Sequence, residues 1–482
     1  MDQLQSSTLS ISLHKNIKLI KDSFHQTSDL KIRSFTMNDE VLRNAAILYI
    51  DGITDTKNLQ EYILTPLLNI HHIDSIEAVV TRNISIIDVN VVTDCDEIKV
   101  GLSKGKALVL MDGFSEGILA DSADWKMRSL TEPDTQRSSL GPLVGFNEQL
   151  TVNVNLLRNI IQTPDFTVET FTIGKKSKTN VSIMYIDEFV DQNVLEETRK
   201  KISSINVTYL LEARVIEDAL EEKKVLFPLV FTSERPDVTV SALYEGRVAI
   251  MVNGVPYALI VPTLFIHYFQ QPDDYHTKAN RFMIRFFRLF TWLISTCLTG
   301  LYVTVVRYHH DWFPSHFSKD LLTQSDTLLP ILLEIMFLHF LFDLLSETTF
   351  RVPKSTVLLI SLIGAIVVGQ TSVEAKIVHS LSLIIVGVTF LASMAITAGG
   401  LWGTMRVLRI FLLLLAYFWG LTGMGIGLVI IIVYMASLKS VGVPYLAPFI
   451  PFRFNEMKDV LFRGNLQRLI NSKHTYPKKY KK

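Results

Sequence analysis

The sequence predicts an α+β/α multi-domain chain, in which duplicated α/β cytoplasmic subdomains are followed by a polytopic α-helical membrane domain. The chain has 482 residues, is 48% hydrophobic and has a mean hydropathy of +0.29, high for a soluble protein. Its apolar runs concentrate in the second half, and two strand motifs occur twice in the first half. The predicted parts are a leader helix (1–34), two soluble subdomains (35–145 and 146–275), a transmembrane domain (276–440) and a basic tail (441–482).

The N-terminal stretch does not resemble a secretory signal, because charges interrupt its apolar positions and no small-residue cleavage site follows them. Cys95 and Cys297 are the two cysteines. This number excludes a disulfide framework and a cysteine-rich metal site, and it fits a reducing compartment. We therefore expect the soluble half to lie in the cytoplasm.

The first repeated motif is ILYIDGITD (47–55), which recurs as IMYIDEFVD (183–191). Each copy reads as a strand and a turn that leads into a helix. The second motif is LVLMDGFSEGILA (108–120), which recurs as AIMVNGVPYALIV (249–261). Asp-Gly and Asn-Gly are strong hairpin signals, because these residues tolerate a positive φ. The order and the similar offsets predict a duplicated module, although chance similarity of common hairpins is the alternative. Duplication favours a scaffold or interaction module over a catalyst.

The soluble half has no catalytic pattern, so we predict no enzyme, no catalytic residue, no metal and no cofactor. GKKSKT (174–179) lacks the first glycine of a phosphate-binding loop and has Lys176 where Ser or Thr is required, so it reads as a solvated basic turn. His71 and His72 stand beside Asp74, a composition more typical of a surface loop than of a metal site. Zero formal net charge and the absence of a binding motif argue against nucleic acid.

The membrane half contains five candidate spans. The first, 286–306, follows a cluster of Lys and Arg, which places that flank in the cytoplasm. The others are 328–345, 356–373, 377–398 and 406–436. The last is too long for one straight span and too short for two complete ones, and its glycines between 420 and 427 predict a kink or break. The basic tail should also be cytoplasmic and contact anionic lipids. Two cytoplasmic ends need an even number of crossings, so either one candidate does not cross or the last counts twice.

The segment 328–345 and its exit carry a polar stripe of four residues: Glu334, His339, Asp343 and Glu347. The last three are spaced four apart and share one helical face. One interpretation is a stripe that lines a bundle interior or an ion pathway, because charge facing lipid is expensive. The other is an amphipathic helix lying in the membrane interface with its charges in water.

The segment 356–373 carries a stripe of small or weakly polar groups: Ser361, Gly364, Val368 and Thr371, with Glu374 beyond it. If several copies of the chain met around an axis, this stripe would line a narrow pore, and Glu374 would form a cation-attracting ring at its mouth. The alternative is ordinary close packing, because small residues let helices approach each other.

Ordered motifs from about 120 to 450 give the chain a specific resemblance. They are RSLTEPDTQ (128–136), GPLVGFNE (141–148), TSERPD (232–237), LYEGRVAIMVNGVPYALIVP (243–262), QPDDY (271–275), VGQTSVEAKIV (368–378) and SVGVPYLAPF (440–449). The chain resembles the A-subunit family of bacterial spore germinant receptors, the GerA type. It departs from the family pattern at Leu140, at Asn253, across 308–329 and at 346–349. These departures leave the nutrient and the particular partners open.

The resemblance implies a multi-pass protein of the spore inner membrane, with a cytoplasmic N-terminal domain and tail. It implies a transporter-like B subunit and a lipoprotein C subunit as partners. It also implies a homo-oligomeric ring, a pentamer, that acts as a nutrient-gated channel and releases monovalent cations at the start of germination. A secondary transporter and a non-conducting membrane scaffold are the alternative functions that the residues leave open.

Overall fold

The computed structural model describes residues 8–124, 132–133, 136, 142–221, 225–270, 283–309, 312, 328–351, 354–396 and 400–452. The basic tail beyond residue 452, the QPDDY motif and most of RSLTEPDTQ lie outside this range. The described chain forms two compact units. One contains 8–221 and 232–262, and the other contains 225–231 and 263–452. We call them the soluble module and the helical unit.

The first half of the soluble module is built on a five-stranded sheet of order β1-β2-β4-β5-β3. Its strands are β1 (Leu30–Thr36), β2 (Asn44–Ile50), β3 (Val89–Val92), β4 (Ala107–Met111) and β5 (Gly117–Ala120). Apolar side chains fill a core on each face of this sheet. Helix α1 (Leu13–Ser23) packs into one of these cores through Leu13 and Ile20. The predicted leader helix is therefore part of the first subdomain, and β1 begins before the predicted boundary at residue 34.

The second half repeats the arrangement with a sheet of order β6-β7-β9-β10-β8. Its strands are β6 (Phe166–Ile173), β7 (Thr179–Ile186), β8 (Phe231–Ser233), β9 (Val248–Val252) and β10 (Ala258–Val261). The two strand orders are equivalent, and the two copies of the first motif occupy the second strand of each sheet. The second motif forms the β4–β5 hairpin and the β9–β10 hairpin, where Gly113 and Gly254 have φ values of 90° and 94°.

Short helices cover these sheets. They are α2 (Thr56–Leu59), a π-helix (Gln60–Leu64), α3 (Thr65–Leu68), α4 (Ile76–Asn83), α5 (Cys95–Ser103), α6 (Leu150–Ile160), α7 (Gln192–Ser203), α8 (Arg214–Glu221) and α9 (Pro236–Tyr244). Each copy of the first motif ends in an aspartate that caps the next helix. Asp55 accepts a bond from the Lys57 amide at 2.9 Å, and Asp191 accepts one from the Asn193 amide at 2.9 Å.

The helical unit begins with a 3₁₀ turn (Phe265–Phe269) and ends with a short hairpin of β11 (Lys439–Ser440) and β12 (Val443–Pro444). Between them lie α10 (Met283–Tyr308), α11 (Ile331–Arg351), α12 (Lys354–Gly364), a π-helix (Ala365–Thr371), α13 (Ser372–Glu374), α14 (Ser380–Met394) and α15 (Leu401–Ser437). Apolar residues of α10, α11, α14 and α15 form a shared core. Among the described residues, Arg285–Tyr308 and Leu401–Ser437 are long and apolar enough to cross a membrane.

Helix α15 is a hairpin of two arms, residues 401–419 and 421–437, and the predicted break lies between them. Gly420 has φ 59° and ψ −142°, a conformation that favours glycine. The second arm folds back on the first: a side chain at Gly427 would lie 2.7 Å from Leu412 of the first arm, and one at Gly423 would meet the Leu415 carbonyl. At 1.5 Å per residue the arms are about 28 and 25 Å long. The small glycines allow this close contact.

Candidate functional site

A polar cleft separates the two halves of the soluble module. Its volume is about 250 Å³. Polar residues dominate the lining: Ser28, Asp29, Lys31, Asp51, Thr151, Asn155, Thr170, Asn180 and Ser182. The Asn155 side-chain amide donates to the Gly52 carbonyl at 2.9 Å, whereas its buried Oδ1 has no hydrogen-bond partner among the described residues. The cleft therefore offers both hydrogen-bond donors and hydrogen-bond acceptors to a small polar molecule.

A buried ion pair joins the two halves beside this cleft. Arg158 of α6 is fully buried, and its Nε and Nη2 atoms each donate to Asp29 at 2.9 Å. The Arg158 guanidinium also lies over the Phe166 ring, 4.7 Å from its centroid. Nearby, His25 lies between Asp165 and Asp187 of the second half, at 3.4 and 3.5 Å. These contacts fix the relative position of the two halves around the cleft.

The predicted polar stripe of α11 is anchored to other helices of the helical unit at three positions. Glu334 is buried and accepts a hydrogen bond from the backbone N–H of His379, before α14, at 2.6 Å. His339 is also buried, and its Nδ1 lies 3.2 Å from Nη1 of Arg409 on α15. Asp343 pairs with Arg406 at 3.1 Å. Glu347 is exposed. The first three side chains therefore face the interior of the bundle.

Arg409 is the residue of this cluster that the sequence analysis missed. It is 4% exposed, and its Nε donates to the Ser295 carbonyl of α10 at 2.8 Å while its Nη1 reaches His339. It thereby connects three helices. A cation inside a long apolar run is itself a sequence signal, because such residues normally point into a bundle. Asp343 lies beside two arginines, Arg406 and Arg409, so this group does not resemble a cation-binding path.

The predicted pore-lining residues do not share one environment. Gly364 is buried, and a side chain there would lie 3.0 Å from Leu345 of α11, so this position is a helix contact. Thr371 and Glu374 are exposed at the other end of the segment. The Gln370 amide donates to Glu374 at 2.8 Å, and the Thr371 hydroxyl donates to the Ile366 carbonyl at 3.1 Å. The side chains of Ser361 and Val368 lie outside the described residues.

Two other motifs of the soluble half occupy the surface. The GKKSKT stretch forms the β6–β7 turn, with Lys175, Lys176 and Lys178 exposed. His72 pairs with Asp74 at 2.7 Å, and both side chains are more than half exposed. Within the described parts of the chain, no group of three or more His, Cys, Asp or Glu side chains is arranged to hold a metal ion.

Comparison with known proteins decides the family. Residues 18–475 match the model of the Bacillus/Clostridium GerA spore germination protein family. The chain belongs to the GerA family. It is 32% identical to spore germination protein KA of Bacillus subtilis, over 94% of this chain and 85% of that protein. It is 31% identical to spore germination protein B1 of the same organism, over 94% of each chain.

Two further relatives of this GerA-family chain extend the comparison. The uncharacterized membrane protein YfkQ of Bacillus subtilis is 30% identical over 99% of this chain and 93% of its own length. The crystal structure of the N-terminal domain of the A subunit of the Bacillus megaterium spore germinant receptor GerK3 is 31% identical. That structure covers 54% of this chain and 98% of its own, with a TM-score of 0.42. Membership in the GerA family supports a role in spore germination and association with a membrane.

Proposed function

We propose that this chain is the A subunit of a spore germinant receptor and forms an oligomeric, nutrient-gated cation channel that couples nutrient sensing to germination. Its partners are a transporter-like B subunit, a lipoprotein C subunit and further copies of itself in a pentamer. It is a multi-pass protein of the spore inner membrane with its soluble module and tail in the cytoplasm. The family match supports the role in germination.

The observation that carries the channel proposal is the polar end of the α12–α13 segment. Leu359, Leu362, Ile363 and Ile366 are at least half exposed, so most of this segment needs lipid or another protein surface around it. Thr371 and Glu374 then present exposed oxygen atoms beyond the apolar stretch. In a ring of copies these oxygens would gather around one axis, where they would attract cations. Thr371 is the last residue of a π-helix, a feature common at functional sites, and Glu374 follows it by three residues.

The hairpin form of α15 supports the proposed topology. If its two arms cross the membrane separately, the five candidate spans become six. An even number returns the chain to its starting side, which agrees with a cytoplasmic module and a cytoplasmic basic tail. The contact of Gly427 with Leu412 shows that the break is a turn between the arms, and the Tyr308 ring packs against it at Gly420. No observation in the described helices favours a substrate site there, as the transporter alternative requires.

The test is potassium release from cells that produce this chain with its B and C subunits, before and after nutrients are added. Thr371→Trp should reduce nutrient-triggered release at least tenfold by filling the pore. Thr422→Trp is the matched control, because Thr422 is also exposed on a helix and its hydroxyl also bonds to its own helix. Normal release from an assembled Thr371→Trp receptor would refute the pore assignment. Absence of release from the assembled wild-type receptor would favour the non-conducting scaffold.

A second candidate function is binding of a small polar molecule by the soluble module itself. The Asn155 side chain lines the cleft, and its buried Oδ1 has no partner among the described residues, which favours this function. A buried carbonyl oxygen without a partner is costly unless a ligand or water satisfies it. The test is a thermal-shift screen of the full chain in detergent against amino acids and sugars. A hit should disappear in Asn155→Leu and persist in Asn69→Leu, a control outside the cleft whose exposed side chain donates to the Thr65 carbonyl. A hit that both variants keep would exclude this cleft.

A further inference from the structure

A seven-residue strap, Val225–Phe231, leaves the soluble module and belongs to the helical unit. Along the chain it follows α8 and leads directly into the rest of β8, both parts of the soluble module. The strap is therefore covalently attached to the module at both ends. Leu226, Phe227 and Leu229 contact residues of the helical unit. The strap is thus a covalent link between the two units.

The strap closes the open end of the α15 hairpin. The backbone N–H of Leu226 donates to the Tyr434 hydroxyl at 3.0 Å, and the Leu226 carbonyl accepts from the Thr404 hydroxyl at 2.6 Å. Thr404 lies near the start of the first arm, and Tyr434 lies near the end of the second. One residue of the strap thus bonds to both arms. Because the arms are joined at Gly420, Leu226 bonds to the ends of the arms that this turn does not join.

An aromatic side chain anchors the strap in place. Phe227 is fully buried, and its ring lies within 6.5 Å of the rings of Phe265, Tyr434 and Tyr445. Such edge and tilted arrangements add to the gain from burying the ring. A backbone carbonyl further along the strap is also hydrogen-bonded, since the Leu229 carbonyl accepts from the Ser440 hydroxyl at 2.6 Å. The strap therefore cannot slide freely across the helices when its ends are pulled.

We propose that Val225–Phe231 is the coupling strap through which a change in the soluble module reaches the α15 hairpin and controls its two arms. Control of this kind requires an element through which both parts affect the same equilibrium. The strap has that placement, because it is covalently continuous with the soluble module and its Leu226 bonds to both arms of α15. A chain extends by at most about 3.6 Å per residue, so seven residues leave limited slack between the two. This inference rests on the proposed function for its consequence, whereas the mechanical coupling is testable without it.

The coupling test uses the pair Thr404→Val and Tyr434→Phe, which remove both hydroxyls that hold Leu226 and preserve side-chain shape. The matched control is Tyr302→Phe with Thr389→Val: Tyr302 bonds to Ser382 elsewhere in the bundle, and Thr389 bonds to its own helix. Deuterium exchange at the Leu226 amide should become about tenfold faster in the test pair, since a hydrogen bond is lost. The control pair should leave that rate unchanged.

Transmission is then measured with Arg158→Met, which loosens the soluble module. In this variant we expect faster deuterium exchange in the strap and at both ends of α15. Adding the test pair should abolish the effect at α15, whereas adding the control pair should preserve it. Equal exchange at α15 with and without Arg158→Met would overturn the coupling, whatever the channel does.

The functional consequence is measured as the ratio of potassium release after and before nutrient. In assembled receptors the test pair should bring this ratio close to one, and the control pair should keep the wild-type ratio. An unchanged ratio in the test pair would overturn the role of the strap. Wild-type receptor without release would contradict the proposed function instead, and the exchange experiment alone would then decide the coupling.

Discussion

The buried Arg158–Asp29 pair predicts how strongly the two halves of the soluble module hold together. The Arg158 side chain is 1% exposed, and the Asp29 side chain is 10% exposed. Both bonds of the fork are 2.9 Å long, and Nη2 also reaches the Thr27 hydroxyl at 3.3 Å. A charge in this position has lost its water and depends on its partner.

Arg158→Met keeps a linear apolar side chain but leaves the Asp29 carboxylate buried without its cation. Breaking a buried ion pair from one side costs about 3–5 kcal/mol, and we expect a value in this range. Asp29→Asn should cost a similar amount, because it leaves the buried Arg158 guanidinium without its anion. The double variant should cost about 2 kcal/mol less than the sum of the single variants, since the two side chains interact directly.

Native-state hydrogen exchange of the full chain in detergent measures this free energy at amides of β1 and β6. The control is Arg199→Met, which removes a cation from Glu169 at a site where the two side chains are 35% and 24% exposed. Solvent screens that pair, so its loss should cost about 1 kcal/mol or less. Equal decreases in the opening free energy for Arg158→Met and Arg199→Met would show that burial does not strengthen the Arg158–Asp29 pair, which would contradict this prediction.

Three further predictions concern the α15 turn, the buried Glu217 carboxyl and the Asp343–Arg406 pair. Gly420→Ala should destabilise the α15 turn by about 1–3 kcal/mol, because its φ is positive and the new methyl group would lie 3.2 Å from the Tyr308 ring. The control is Gly425→Ala, where the methyl group has open space, and it should lower the melting temperature little or not at all. Burial raises the pKa of Glu217 despite Arg214, so the charged form opposes folding and stability falls as pH rises through the folded pKa. Glu217→Gln should therefore raise the melting temperature at pH 7, and a gain that does not shrink towards about pH 4 would contradict this. Asp343→Arg and Arg406→Asp should each speed deuterium exchange in α11, and the double swap should restore it; no restoration would show that their 3.1 Å pairing contributes little.

Strand identity in the soluble module follows from local sequence. The ILYID and IMYID runs form β2 and β7, and the Asp-Gly and Asn-Gly turns join their predicted hairpins. Their side chains and turn residues carry this information within a few positions. The common strand order of the two sheets needed the tertiary structure, because it depends on pairing between segments far apart in the chain.

In the helical unit, too, local sequence predicted some features and tertiary structure decided others, as Gly420 and the α11 stripe show. Four glycines predicted a break in the last apolar segment, but a local pattern does not distinguish a kink from a full reversal. The reversal is decided by the contact of Gly427 with Leu412. Likewise, the spacing from His339 to Asp343 predicted one polar face, whereas their partners Arg409 and Arg406 come from a helix more than sixty residues later.

By itself, the sequence determined the division into a mixed α/β half and an apolar helical half, the repeated strand motifs, the break near Gly420 and the family resemblance, because composition and short-range spacing carry all four. Tertiary structure decided that Gly364 contacts α11, that Arg158 joins the two halves, and that Val225–Phe231 bonds to both arms of α15. These contacts join residues that are distant in the chain. Their geometry depends on how whole elements pack, which no short stretch of sequence specifies.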